Sequence, residues 1–382
     1  MSSEVSPTGV LVLVTGTGRS GTSTIAGSLH HLGLEVPGPY LGANESNPKG
    51  FYESRWAMKF HKKITGAAKI NDMDSRPVAF ERAQEALTPE LRAELVAFLK
   101  DRAAGHPQVV IKDPRSVWAQ QLWREAAAEV GLDLRYLSML RHPAEVIGSR
   151  TTYYATKSDE SARRRYEIFN VARWINNSLI SERETRGQRR TFVKYTDLLE
   201  DWRPAVATVA DELGLTYESD LTPGVHHPVD DFIDPDLRRV RVTWDDLDVP
   251  AELQEIAQGI WDALMVLFDT GGQDEAASAT LDELGARYER LFSDAAAISH
   301  DALEEAAAEA RAKGAADERA RQAEKRAEAA AKNAARSGAG SAGPGAGHAG
   351  TPALEDRKVG EVGGRDLIKV AGGRLLHKLR RS

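Results

Sequence analysis

The chain of 382 residues contains no cysteine. That excludes disulfides, thiolate nucleophiles and zinc sites built on sulfur. Long apolar runs are also missing, and nothing approaches the ~20 residues of a membrane-spanning helix. Met1–Gly9 carries Glu4 and has no basic stretch followed by an apolar core. A secretory signal is therefore not expected, and the cytoplasm is the expected compartment. No excess of basic residues is present either: the formal net charge is −7, which gives no reason to expect a nucleic acid partner. An acidic chain can still line one cleft with Arg and Lys. The 41% hydrophobic content suits a globular core, and the length suits one large or two ordinary domains.

Against these absences, one stretch stands out. Val10–Val14 is a short unbroken apolar run, as a buried parallel strand reads. It leads into Thr15-Gly16-Thr17-Gly18-Arg19-Ser20-Gly21-Thr22-Ser23 and then into small and apolar residues that can open a helix. A strand–loop–helix unit of this kind aims backbone N–H groups and a helix N-terminus at one point, an arrangement that suits anionic oxygens. The spacing Gly16-x-x-x-x-Gly21 matches a phosphate-binding loop, yet Thr22 stands where the nucleoside-triphosphate version carries Lys. The cation is instead Arg19, before the second glycine. The plain alternative is a glycine-rich turn that binds nothing.

Further along, strands and helices alternate. Val109–Ile111 reads as a second strand ended by Lys112-Asp113-Pro114. Leu134–Leu140 reads as a third, followed by Arg141-His142-Pro143, and Thr191–Lys194 as a fourth, ended by Tyr195-Thr196-Asp197. Helices are expected through Trp56 and Phe60, over 88–103 with Thr88 as cap and Pro89 first, over 118–130, on to Arg150, over 160–186 and over 203–213. Leu34–Asn47 reads as loop. The pattern predicts an α/β fold of βαβ units with a parallel sheet covered on both faces, whose ligand sits beyond the carboxyl ends of the strands. Four candidate stretches fall there: 15–23, 112–115, 141–149 and 195–197.

Helix is again expected near Leu253–Leu267. Leu281, Leu284, Tyr288, Leu291, Ala295 and Ile298 step by three and four, as one helix face or as a coiled-coil seam that would make a homodimer. Residues 301–335 are mostly Ala, Glu, Lys and Arg, a solvated helix with Gly314 as its weak point. The domain reading is thus a short N-terminus (1–9), an α/β domain (10–270), a helical extension (271–335), a Gly/Ala/Ser linker (336–364) and a basic amphipathic tail (365–382). The tail suits a membrane surface, a partner protein or solvent.

The loop Gly18-Arg19-Ser20-Gly21-Thr22-Ser23 resembles the 5′-phosphosulfate loop of the sulfotransferase family, where Lys or Arg precedes Ser-Gly-Thr. Arg141 with Ser149 eight positions on resembles that family's 3′-phosphate pair, an Arg ending a strand and a Ser on the next helix. Val193-Lys194-Tyr195-Thr196-Asp197-Leu198 is similar to the strand whose Tyr helps hold adenine, and Lys112 matches the Lys that reaches the transferring sulfuryl group. The likeness covers roughly residues 10–220 and is nearest to bacterial carbohydrate- or lipid-type members. It implies a P-loop-type parallel sheet and the donor 3′-phosphoadenosine-5′-phosphosulfate (PAPS). It also implies in-line transfer to an acceptor hydroxyl or amine, without a metal, because Arg19 and Lys112 supply the positive charge.

The general base departs from the family pattern, since Lys112-Asp113-Pro114 replaces its Lys-Thr-His. Glu53, in Gly50-Phe51-Tyr52-Glu53, is the favoured candidate and Asp113 its rival; either can instead be a helix-terminal or turn residue. His61 and His142 are further candidates, and Asp113–Arg115 are candidates to bind the acceptor. Trp56, Phe60, Trp118, Trp123 and Trp174 suit either an acceptor pocket or the core. A magnesium-dependent small-molecule kinase is the rival enzyme reading. A non-catalytic nucleotide-binding scaffold with partner-recruiting C-terminal helices is the third.

Overall fold

The computed structural model describes residues 9–44, 47, 49–154, 159–234 and 241–338. Four parallel strands, β1 (Gly9–Thr15), β2 (Gln108–Lys112), β3 (Leu132–Leu140) and β4 (Arg190–Lys194), form a sheet in the order β2-β1-β3-β4. The central β1 explains the architecture. Its side chains alternate between two faces, and both are dry: Leu11, Val12, Leu13 and Val14 are all fully buried. Val12 and Val14 join a core with Ile25 and Leu29 of α1 (Thr22–His31) and with Trp202 and Val206 of α9 (Trp202–Leu213). Leu11 and Leu13 join another with Phe60 and Ile64 of α2 (Arg55–Ala68), Leu95 and Leu99 of α4 (Pro89–Ala103) and Trp123 of α5 (Gln120–Glu129). A strand buried on both sides reads as continuous apolar sequence, which is why no polar alternation marks it.

Local chemistry sets the helix ends. The Thr88 side chain accepts from Leu91 N and Pro89 occupies the first turn of α4, while Gly214 closes α9 in the left-handed conformation. Some elements differ from expectation. The helix expected from Trp118 begins at Gln120, because Pro114–Ala119 forms a tighter 3₁₀ turn capped by Asp113. Three short helices, α3 (Ala79–Glu85), α8 (Tyr195–Glu200) and α10 (Pro228–Phe232), are too brief for periodicity to reveal.

A third core forms from α6 (Pro143–Tyr154), α7 (Glu160–Thr185), α11 (Ala251–Asp269) and α12 (Glu275–Ile298). Here the seam packs within the chain from Leu281 to Leu291, while Ala295 and Ile298 are exposed. Leu281 and Tyr288 are buried with Leu284 and Leu291 packed beside them, and the Tyr288 hydroxyl donates to Ser75 O at 2.6 Å. The first compact unit runs to His300. The second unit begins at Asp301, and α13 (His300–Gly338) makes up its described part, staying helical through Gly314. The linker and basic tail lie outside the described residues, apart from the helical backbone up to Gly338. No helix among the described residues is long and apolar enough to cross a membrane.

Candidate functional site

The carboxyl ends of all four strands open on one cavity of about 710 Å³. The loop from β1 to α1 forms its floor. Gly16 has φ 118°, and a Cβ there would lie 2.7 Å from Met139 O. Gly21 has φ 89°, and its Cβ would lie 2.2 Å from Tyr195 Cδ2, so only glycine fits. Between them Arg19 is held at φ 78°, a conformation that L side chains avoid and that turns this residue out of the usual chain path. The Thr17 and Ser20 hydroxyls hydrogen-bond at 2.7 Å and brace the turn. Gly21 caps α1 with no side-chain acceptor, and no acidic residue stands in the first turn, which leaves helix N–H groups directed at the cavity.

Arg19, Ser149, Arg141 and Tyr195 gather at one end. Arg19 Nε donates to Ser149 Oγ at 3.2 Å, and Arg141 Nη1 donates to the Arg19 carbonyl at 3.0 Å. Arg141 Nε also donates to Glu145 Oε2 at 3.0 Å, and its guanidinium lies 4.8 Å from the centre of the Tyr195 ring. Burial pushes the Tyr195 hydroxyl up from its ordinary value, so it stays neutral. Two residues 122 positions apart thus fix one loop: the strand-end arginine grips the backbone that the loop arginine stands on.

At the other end Lys112 finishes β2, nearly fully buried. Its Nζ lies 3.2 Å from Ser23 Oγ and 2.7 Å from Glu53 Oε1. Burial pulls this ammonium below an ordinary lysine, against the opposing pull of Glu53. Arg115 Nη2 takes the second Glu53 oxygen at 2.9 Å, and its Nη1 reaches Asp72 at 3.1 Å. Glu53 therefore bridges two cations at the cavity wall.

Asp113 is placed differently. It has no exposed surface, lies outside the cavity lining, and accepts from His61 Nδ1 at 3.0 Å and from Arg115 N at 2.9 Å. Burial alone would raise its pKa, but His61 and Arg115 outweigh that and hold it at about 2. Asp113 is thus held in a buried tie and does not reach the cavity, whereas Glu53 lines it. His61 is buried beside it and accepts from Trp123 Nε1 at 3.0 Å, which leaves its proton on Nδ1 toward Asp113. His142 packs between Trp244 and Trp261 and is also outside the lining. Phe60, Trp118, Trp123 and Trp174 are core, and Trp56 stacks on Phe98 with ring centres 3.7 Å apart. None of these five aromatics lines the cavity.

Two lining arginines escaped the sequence reading, Arg150 and Arg173, as did the 70–73 wall. Arg150 follows Ser149 directly, a cue that was available. Arg173 sits mid-helix in α7, where nothing in the spacing sets it apart. Among the described residues no cluster of metal-ligating side chains is found.

No family model matches the chain, and no curated protein matches it. Among solved structures it is similar to the sulfotransferase domain of the Synechococcus PCC 7002 olefin synthase, at TM-score 0.38 and 17% identity over 72% of this chain and 98% of that one. It is similar also to the sulfotransferase domain of the curacin biosynthetic pathway, at 0.33 and 15% over 66% and 98%. Likeness of this degree says nothing about donor or acceptor.

Proposed function

We propose that the cavity binds PAPS and transfers its sulfuryl group to the hydroxyl or amine of a carbohydrate, lipid or small metabolite, releasing adenosine 3′,5′-bisphosphate. The observation that supports this most is that Arg141 and Ser149 stand at one end of the cavity and Lys112 at the other, with the Arg19 loop and the α1 N-terminus reaching from Ser149 to Lys112 through Ser23. A donor with anionic groups at both ends of an adenosine needs such a pair of cationic stations. The Arg19 guanidinium and the α1 amides suit the 5′-phosphosulfate; Arg141 and Ser149 suit the 3′-phosphate, and Tyr195 offers a ring for the base. The volume holds a nucleotide together with part of an acceptor.

In the reaction the acceptor oxygen or nitrogen bonds to sulfur while the bond from sulfur to the bridging phosphate oxygen breaks. The electron pair stays on that oxygen, and the acceptor's proton goes to Glu53. Charge grows on the bridging oxygen, and fixed cations stabilise it without reorganising. Lys112 holds Glu53 Oε1 at 2.7 Å. Turning its ammonium toward the departing oxygen releases that carboxylate oxygen for the proton, so one movement supplies both the acid-side charge and the base. Arg115 keeps the other carboxylate oxygen in place. Thr22 in place of a loop lysine counts against a nucleoside-triphosphate kinase.

Heat-unfolding with and without adenosine 3′,5′-bisphosphate tests the reading. A rise in Tm that grows with nucleotide concentration is expected, and its absence for both PAPS and the bisphosphate would rule the reading out.

A further inference from the structure

The donor reading uses Arg19, Lys112, Arg141 and the α1 amides, and leaves a second group of cations on the same cavity. Arg173 lines it from α7 and Arg150 from α6. Arg150 Nη2 lies 3.0 Å from Met73 Sδ and 3.4 Å from Gly18 O, so it spans from the loop to the 70–73 wall. The Arg173 guanidinium stacks on the Phe169 ring at 3.7 Å, and its Nε is buried without a hydrogen-bond partner among the described residues.

Position narrows what ligand suits these two arginines. Glu53 is tied through Arg115 to Asp72, and Asp72 and Met73 belong to the wall where Arg150 and Arg173 stand. An acceptor whose nucleophile points at Glu53 can extend its remainder along this wall. We infer that the acceptor carries an oxyanion group, a carboxylate, phosphate or sulfate, and that Arg173 and Arg150 bind it. The inference rests on the sulfuryl-transfer reading and names the acceptor class for the same cavity.

The electrostatics agree. Burial, and next the neighbouring Arg150, weaken the hold of Arg173 on its proton, and Asp74 and Asp72 offset this only in part. Two guanidiniums facing one cavity repel each other, and an anion between them relieves that repulsion.

The test uses the full-length protein, labelled PAPS, and a small-molecule and lipid extract of the host split by anion exchange at neutral pH. Transfer is expected in the retained fraction. Phosphatase treatment then separates a phosphate from a carboxylate or sulfate, and either result keeps the inference. Arg173→Gln should raise the apparent KM for that fraction about tenfold or more, the loss of one or two charge-assisted hydrogen bonds. Its affinity for adenosine 3′,5′-bisphosphate should stay within about twofold of wild type, and Arg173→Lys should recover part of the KM. With bisphosphate still bound by the wild type, label confined to the flow-through or found in neither fraction overturns the inference alone. So does an Arg173→Gln variant that loses bisphosphate affinity, since that arginine would then belong to the donor. A wild type that binds no bisphosphate removes the donor reading and this inference together.

Discussion

At one end of the cavity, Arg19 and Gly21 are near neighbours in sequence, joined by Arg141 and Tyr195 from strand ends close by in the sheet and by Ser149 of α6. Along the 70–73 wall, Asp72, Met73, Arg150 and Arg173 come from a connection and two helices with nothing local to link them. The first region is backbone-built: strained φ angles, glycines that admit no Cβ, and a helix N-terminus shape it before any side chain is counted. The second is side-chain-built, with long arginines that can adapt. A rigid, backbone-made region suits one invariable ligand, and an adaptable one suits whatever the lineage requires.

Substitutions on the two sides should break this comparison in different ways. The largest effect is expected of Glu53→Gln, which should lower turnover by about 10²–10⁴, the range for a lost general base, with bisphosphate affinity little changed. If turnover survives, the proton goes elsewhere. Next, Asp113→Asn should cost about 3–5 kcal/mol of stability, as breaking a buried charged pair does, and show first as a fall in Tm. Its sign with pH follows from the depressed pKa. The aspartate's contribution is whole above its ordinary value of 3.8 and fades as pH falls toward about 2. The variant's stability should accordingly be flatter than wild type across that acid window, and an unchanged acid limb would deny the tie to His61.

Gly21→Ala should come next, at about 1–3 kcal/mol, because the added methyl meets both a left-handed backbone and the Tyr195 ring. Bisphosphate binding should suffer with it. The smallest effect is on a pH profile. Lys112 works as an ammonium and burial lowers its pKa, so activity should fall on the alkaline side before an ordinary lysine, at 10.5, would titrate. Lys112→Arg, always charged, should move that fall upward in whatever activity remains. A limb that stays put assigns the titration to another group.

The same contrast explains what the sequence made legible. The strands and the two-sided sheet were open to reading, and residues 19, 112, 141, 149 and 195 all line one cavity. Parallel strands bring their carboxyl ends together, so residues as far apart as Arg19 and Tyr195 converge by topology alone. Asp113 and Glu53 were not separable in sequence. Which carboxylate faces the cavity depends on a 3₁₀ turn at Pro114 and on the packing of His61 against Trp123, both tertiary facts. Arg173 was invisible for a related reason: on a 26-residue helix rich in arginine, charge periodicity does not say which one turns inward. The stripe over 281–298 packs within the chain as far as Leu291 and is exposed at Ala295 and Ile298, and a hydrophobic stripe carries no label for where its partner lies.

The claim underlying all of this is that the cavity reads a doubly anionic adenine nucleotide from both ends. Titration calorimetry of adenosine 3′,5′-bisphosphate against adenosine 5′-monophosphate, on wild type and on Arg141→Ala, tests it directly. The bisphosphate should bind about 10- to 100-fold more tightly than the monophosphate, the worth of a charge-assisted phosphate contact, and that preference should vanish in the variant. Equal affinities in the wild type, or a preference that survives the loss of Arg141, would contradict it.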